Sequence, residues 1–154
     1  MDMEEVKVRS EFEALGAALD ICARNGAYMN WTVADLNRYF VPPVNEGQYS
    51  IFVDKGVFVG FVTWAFLSRS LSDSLRFEHQ EPPPSGWRSG TQIWIMDLIC
   101  QSGYAPAIGS YLQKTVFRNT SCSEAFAVRR RADGTIRRIA RYPRLDIGAR
   151  EKMH

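Results

Sequence analysis

An ionisable side chain sits inside the most apolar stretch of this sequence. From Ile93 to Ile99 every residue but Asp97 is bulky and apolar, the pattern of a strand covered on both faces. A charge in such a strand costs several kcal/mol unless it is partnered. Two readings of Asp97 follow. Backbone N–H groups or an arginine can satisfy it as part of the core, or it can orient or deprotonate a reacting group from the end of a central strand.

The chain has 154 residues, room for one well-buried core and too little for two ordinary domains. We therefore expect a single domain over 1–154, with flexible ends at 1–9 and 145–154. No apolar run approaches the ~18 residues of a membrane span, and the acidic start (Asp2, Glu4, Glu5) lacks the order of a signal peptide. A cytoplasmic protein is the expectation. Three cysteines, Cys22, Cys100 and Cys122, show no metal or disulfide spacing, so no metal site is expected and they read as small core residues. The two histidines are His79, in a polar segment before three prolines, and the terminal His154. An imidazole base is thus scarce.

A net charge of +2 hides an asymmetry. Residues 114–154 hold eleven Lys/Arg against four acids, while the first 113 hold eight against thirteen. Such a basic third suits an anionic partner, or simply a solvated strand face. Arg129 and its neighbours alternate with aromatic residues, but no nucleic-acid motif accompanies them, so nucleic acid is not the expected partner.

Taken in order, Phe12, Leu15, Leu19 and Cys22 predict a helix from Ser10 to Arg24, stopped at Asn25-Gly26. Thr32 caps a second helix (Val33, Leu36, Tyr39, Phe40) that Pro42-Pro43 should end. Tyr49 to Trp64 reads as a hairpin turning at Lys55-Gly56, Ser68 to Phe77 as a polar helix, and Pro82 to Gly86 as a stiff loop. After the Asp97 strand, Gly103 to Gly109 spans a strand-to-helix junction able to hold a phosphate, and Ala107 to Phe117 is helical. Glu124 to Arg141 forms a second hairpin about Asp133-Gly134. The order predicts an α/β or α+β domain with one mixed sheet. Serine-hydrolase, Walker, dinucleotide and zinc-protease motifs are all absent from the sequence.

Phe12 to Gly16, Asn30-Trp31, Gln48-Tyr49, Trp64-Ala65, Leu67-Ser68, Trp87, Ser89-Gly90, Trp94 and Asp97 together resemble the lysine acyltransferases that activate RTX toxins. The spacing agrees from about residue 12 to 100 without insertion. Beyond Gly103 it loosens to the helix before Phe117 and the strand at Ala127-Val128-Arg129. The resemblance implies a GNAT-like fold, a twisted mixed β-sheet flanked by helices, and a homodimer. It also implies transfer of a fatty acyl chain from acyl carrier protein to lysine ε-amines of a protein substrate. The phosphopantetheine thioester is then a donor substrate, with no tightly bound cofactor, and an acidic carrier suits the basic third of the chain.

The family's catalytic pair is a histidine before the Asn-Trp step and an aspartate in the key strand. Asp97 matches the second, but Tyr28 stands where the histidine belongs. A phenol titrates near 10, so only about one in a thousand is ionised at neutral pH, and Tyr28 is a poor base. Two expectations remain open. In one, Asp97 or a water it holds takes the proton while Tyr28 donates a hydrogen bond to the thioester oxygen. In the other, a catalytically inactive relative binds an acyl chain, acyl carrier protein or another protein without turnover. Asn30, Trp94 as a channel lining, Gly103 and Arg129 are the candidate substrate-binding residues. His79 is a weaker substitute base.

Overall fold

The computed structural model describes residues 1–118 and 124–143. Six strands form one sheet in sequence order: β1 (Met3–Val6), β2 (Tyr49–Asp54), β3 (Val57–Leu67), β4 (Gln92–Cys100), β5 (Glu124–Arg130) and β6 (Ile136–Pro143). All neighbours are antiparallel except β4 and β5. Helices α1 (Glu11–Ala23), α2 (Val33–Asn45) and α3 (Arg69–Glu78) cover one face, packing on Ile51, Phe61 and Ile99 and on Trp94, Met96 and Phe126. Helix α4 (Ala105–Lys114) covers the other, with Ile108 and Leu112 on Trp64, Ile93, Ile95 and Ala127. No described helix is long and apolar enough to cross a membrane.

Local chemistry accounts for most boundaries. Ser10, Thr32 and Ser68 accept hydrogen bonds from the first turns of α1, α2 and α3, and Thr32 with Asp35 closes a capping box. Lys55 (φ 52°) and Gly56 (φ 77°) are both left-handed, the requirement of a tight two-residue hairpin.

Two expectations are corrected. Met3–Val6 is not a flexible end: it pairs with β2 as the edge strand, and Glu5 accepts a hydrogen bond from the Tyr111 hydroxyl. The partner strand supplies the order that four acid-rich residues cannot show by themselves. Helix α2 does not stop at Pro42-Pro43 but runs through both to Asn45. Proline removes an N–H donor but not its carbonyl. Pro42 O still accepts from Glu46 N (3.2 Å) and Pro43 O from Gln48 N (2.8 Å), while both rings are buried. The expected flexible segment 145–154 lies outside the described residues.

Several residues that carried the family resemblance turn out to hold the sheet to the loop preceding β4. Gln48, 1 % exposed, donates from Nε2 to the carbonyls of Trp64 (3.0 Å) and Trp87 (2.9 Å). Ser89 Oγ accepts from Ser68 N (2.9 Å) and donates to Gly86 O (2.7 Å). Gly90 lies against that junction so closely that a Cβ would meet Leu67 O at 2.6 Å and Ser68 N at 2.7 Å, both backbone atoms. Nothing flexible can yield there. Gly90→Ala should therefore cost about 1–3 kcal/mol and lower the melting midpoint by several degrees in a circular-dichroism melt. Gly16→Ala, with open space at its Cβ, should not lower it.

Candidate functional site

Strand β4 alternates up to Ile95 and then breaks step. Trp64 pairs with Ile95 but Thr63 pairs with Asp97, leaving Met96 as an extra residue, a β-bulge. Trp94 and Met96 pack under α3, while Ile93, Ile95, Leu98 and Cys100 pack on the α4 side. Without the bulge Asp97 would share the α4 face with Ile95. With it, Asp97 turns toward α1 and the loop before α2. The backbone ladder with β5 ends at the same place, Ile95 with Ala127 being its last pair. From there β4 and β5 run on without mutual backbone bonds.

Side chains take over the join. The Asp97 side chain is fully buried, and Arg130 on β5, 2 % exposed, donates from Nε to Asp97 Oδ1 at 3.0 Å. The rest of the guanidinium points elsewhere. Nη1 donates to Glu81 Oε1 and to Gly134 O (3.1 Å), Nη2 reaches Glu81 Oε2 at 3.5 Å, and the group lies 4.2 Å from the Tyr39 ring centre. Thr63 Oγ1 accepts from Asp97 N at 3.2 Å. Asp97 Oδ2 has no regular hydrogen-bond partner, although the Tyr28 hydroxyl on its side of the sheet helps to hold the charge.

Burial pushes the Asp97 carboxyl up to about 6. Arg130 opposes that rise, Glu81 adds to it and Tyr28 opposes it. The Tyr28 phenol is driven well above its ordinary value, chiefly by burial and then by the Asp97 charge, so it stays protonated. Cys22 on α1 is pushed up to about 12 for the same two reasons, which leaves an inert thiol. The site thus offers a carboxylate that can take a proton near neutral pH and a phenol that can only donate or relay one.

The residues expected from the sequence divide into groups. Tyr28 is half-buried in the loop between α1 and α2, its ring 4.8 Å from Trp31, and lies with Asp97; Asn30 is exposed two residues on. Trp94 is not a channel lining. It is 0 % exposed, stacks on Phe126 at 4.9 Å and donates from Nε1 to Ser72 Oγ at 2.9 Å. Arg129 is on the opposite face from Asp97, beside Ile95, Leu98 and Ile108, and donates to the Tyr142 hydroxyl. Gly103 (φ 94°) lies in the exposed turn leading into α4. His79 is exposed at the C-terminal cap of α3. Among the described residues, no cluster of His, Cys, Asp or Glu is placed to hold a metal ion.

Arg130 and Glu81 were missed. Arg129, Arg130 and Arg131 read as one basic run, yet the two-residue period of a strand sends Arg130 to the face opposite Arg129. That period was the available signal.

A model of the RTX toxin acyltransferase (HlyC) family matches residues 7–143. The chain belongs to that family. Lysine-acyltransferase RtxC of Vibrio cholerae is 26 % identical over 122 residues, covering 79 % of this chain and 80 % of its own. The RTX-II toxin-activating lysine-acyltransferase ApxIIC of Actinobacillus pleuropneumoniae is 23 % identical over 107 residues, 70 % of this chain and 67 % of its own. Among solved structures, the loading GNATL domain of CurA from Lyngbya majuscula superposes with a TM-score of 0.51 at 14 % identity. That match covers 84 % of this chain and 64 % of the other. The fold of this RTX toxin acyltransferase family member is therefore α/β and GNAT-like.

The raised carboxyl has a consequence for stability. Because the folded value lies above the unfolded one, Asp97 favours the fold below the ordinary carboxylate range, and this contribution is lost as pH rises through about 6. The stability difference between wild type and Asp97→Asn, from urea unfolding, should fall by up to roughly 3 kcal/mol between pH 4 and 7 and then level. A difference that grows with pH would mean Arg130 outweighs burial.

Proposed function

We propose that the protein transfers a fatty acyl chain from acyl carrier protein to lysine ε-amines of a protein substrate, with Asp97 as the base and Tyr28 relaying the proton to it. The observation that carries this is a buried carboxylate whose affinity for protons is raised, with the half-buried Tyr28 as the hydroxyl beside its Oδ2, which has no other partner among the described residues. The amine nitrogen attacks the thioester carbonyl, and its proton becomes acidic as the C–N bond forms. The Tyr28 oxygen accepts that proton while its own passes to Asp97 Oδ2. As the C–S bond breaks, the proton leaves Asp97 for the departing thiolate, so an amide and a free thiol result and the carboxylate is restored. A base that titrates near 6 is well matched to this cycle at neutral pH.

Two surface features support the substrates of this reading. Between α1 and α2 an open groove of about 370 Å³ is lined by Leu15, Leu19, Val33, Leu36, Phe40 and Val41. Its Val33 end begins α2, just after the loop carrying Tyr28. A groove of that size and apolarity suits an aliphatic chain, at about 0.8 kcal/mol per buried methylene, and it takes the part first expected of Trp94. On the far side of α3, Arg76, His79, Arg137, Arg138 and Arg141 surround a cavity of about 320 Å³ floored by Phe126. Its charge suits an acidic carrier, with the cytoplasm as the site of action. The relatives from Vibrio cholerae and Actinobacillus pleuropneumoniae are lysine-acyltransferases.

Intact-mass analysis after incubation with acyl carrier protein charged with defined chains tests the reading. Acyl loss from the carrier should fall by about 10²- to 10⁴-fold in Asp97→Asn and rise in Tyr28→His. Carrier binding without acyl loss in any of these proteins would assign a binding-only relative instead. For the groove, Leu36→Trp should shift acyl preference toward shorter chains at an unchanged melting point. An unaltered chain-length profile would move the acyl site elsewhere.

A further inference from the structure

The guanidinium of Arg130 meets Asp97 with one nitrogen only. Left to itself, an arginine facing a carboxylate tends to engage both oxygens through two parallel N–H bonds. Here Nη1 and Nη2 are turned to Glu81, and Nη1 also serves Gly134 O, so Nε alone reaches Asp97 Oδ1. The whole group is out of water, with the Tyr39 ring closing it from α2. Glu81 itself is anchored just before Pro82 to Pro84, a stretch with little freedom to follow a moving partner.

We propose that Arg130 and Glu81 form a positioning device for the Asp97 site, in which Glu81 holds the guanidinium so that it immobilises Oδ1 and leaves Oδ2 open toward Tyr28. This rests on the acyl-transfer reading for its purpose but not for its geometry. Neither residue touches the reacting atoms; both act through Asp97. The groups facing Asp97 are few. Cys22 looks on from α1, Tyr28 from the loop before α2, Thr63 from β3, Glu81 from the loop after α3, and Arg130 from β5. Among the described residues, Arg130 and Glu81 are the groups that carry full charges there, and they act on the Asp97 proton in opposite directions.

That opposition gives a signature no merely structural role would produce. Arg130→Gln removes the cation, and Asp97 should titrate higher by about one unit or more. Glu81→Gln removes the competing anion and frees the guanidinium to engage both oxygens, and Asp97 should titrate lower by about the same amount. Arg130→Lys keeps the charge without the planar fork and should fall between wild type and Arg130→Gln.

The readout is carbon-13 NMR titration of the Asp97 carboxyl in the full chain, alongside the pH profile of acyl loss from charged carrier protein. Opposite shifts in the two neutral variants, mirrored in the acidic limb of the activity profile, support the device. Should Arg130→Gln fail to fold, a downward shift in Glu81→Gln with an upward one in Arg130→Lys supports it equally. Shifts of the same sign, or an Asp97 titration that moves in neither Glu81→Gln nor Arg130→Lys, overturn it. If wild type transfers no acyl group yet the NMR shifts are opposed, the positioning device stands and the transferase reading falls.

Discussion

A carboxylate and a guanidinium, both out of reach of water, join β4 to β5 just where the backbone ladder between those strands has stopped. The rest of the centre is arranged around that join. A bulge at Met96 is needed to bring Asp97 to the right face, and the residue opposite, Thr63, must offer an oxygen to the Asp97 N–H. Glu81 and Gly134 take the donors that Asp97 does not. As a source of stability the arrangement has little to recommend it, since a buried ion pair is often matched or bettered by apolar residues of equal volume. What it supplies that packed methyl groups cannot is a titratable oxygen at a fixed place.

The sequence showed the outline of the fold and, of the candidate site, Asp97 and Tyr28 but neither Arg130 nor Glu81. Every helix but its exact ends, and both hairpins, were legible because their signals are local: a cap at Thr32, a Lys-Gly turn, a period of three and four in α1. Met3–Val6 was not, because an edge strand of four residues owes its order to a partner some fifty positions away. Asp97 stood out because a lone charge in an apolar strand demands an explanation. Its partners did not, because the bulge that decides which way Asp97 points leaves no mark in a run where every neighbour is apolar. Arg130 hid inside three consecutive arginines, and Glu81 inside a polar loop. Trp94 illustrates the reverse error, a large aromatic placed near the chemistry by sequence distance alone and held by Ser72 and Phe126 on the far side of the bulge.

The family resemblance implies a histidine where this chain has Tyr28, and the surroundings of Asp97 decide what a phenol there can do. An imidazole titrates near 6.5 and can both accept and donate a proton at neutral pH. A phenol beside a buried carboxylate cannot, since burial and the neighbouring negative charge both resist its ionisation. Of the two groups, Asp97 is the one able to take up a proton near neutral pH. Burial has lifted Asp97 toward the range in which an imidazole titrates, which is the property the proposed relay through the phenol rests on.

Charge counting explains why that lift survives the presence of an arginine. The cluster contains two carboxylates and one guanidinium in a region where uncompensated charge is expensive. With both acids ionised it carries one surplus negative charge, and a bound proton relieves it. Glu81, 12 % exposed, still has water to support its charge, whereas the Asp97 side chain has none. The proton therefore belongs to Asp97, and its affinity there is a property of the three groups together rather than of one residue. Taking away either partner changes the count and hence the proton affinity of Asp97, which is the physical basis of the positioning role proposed for Glu81.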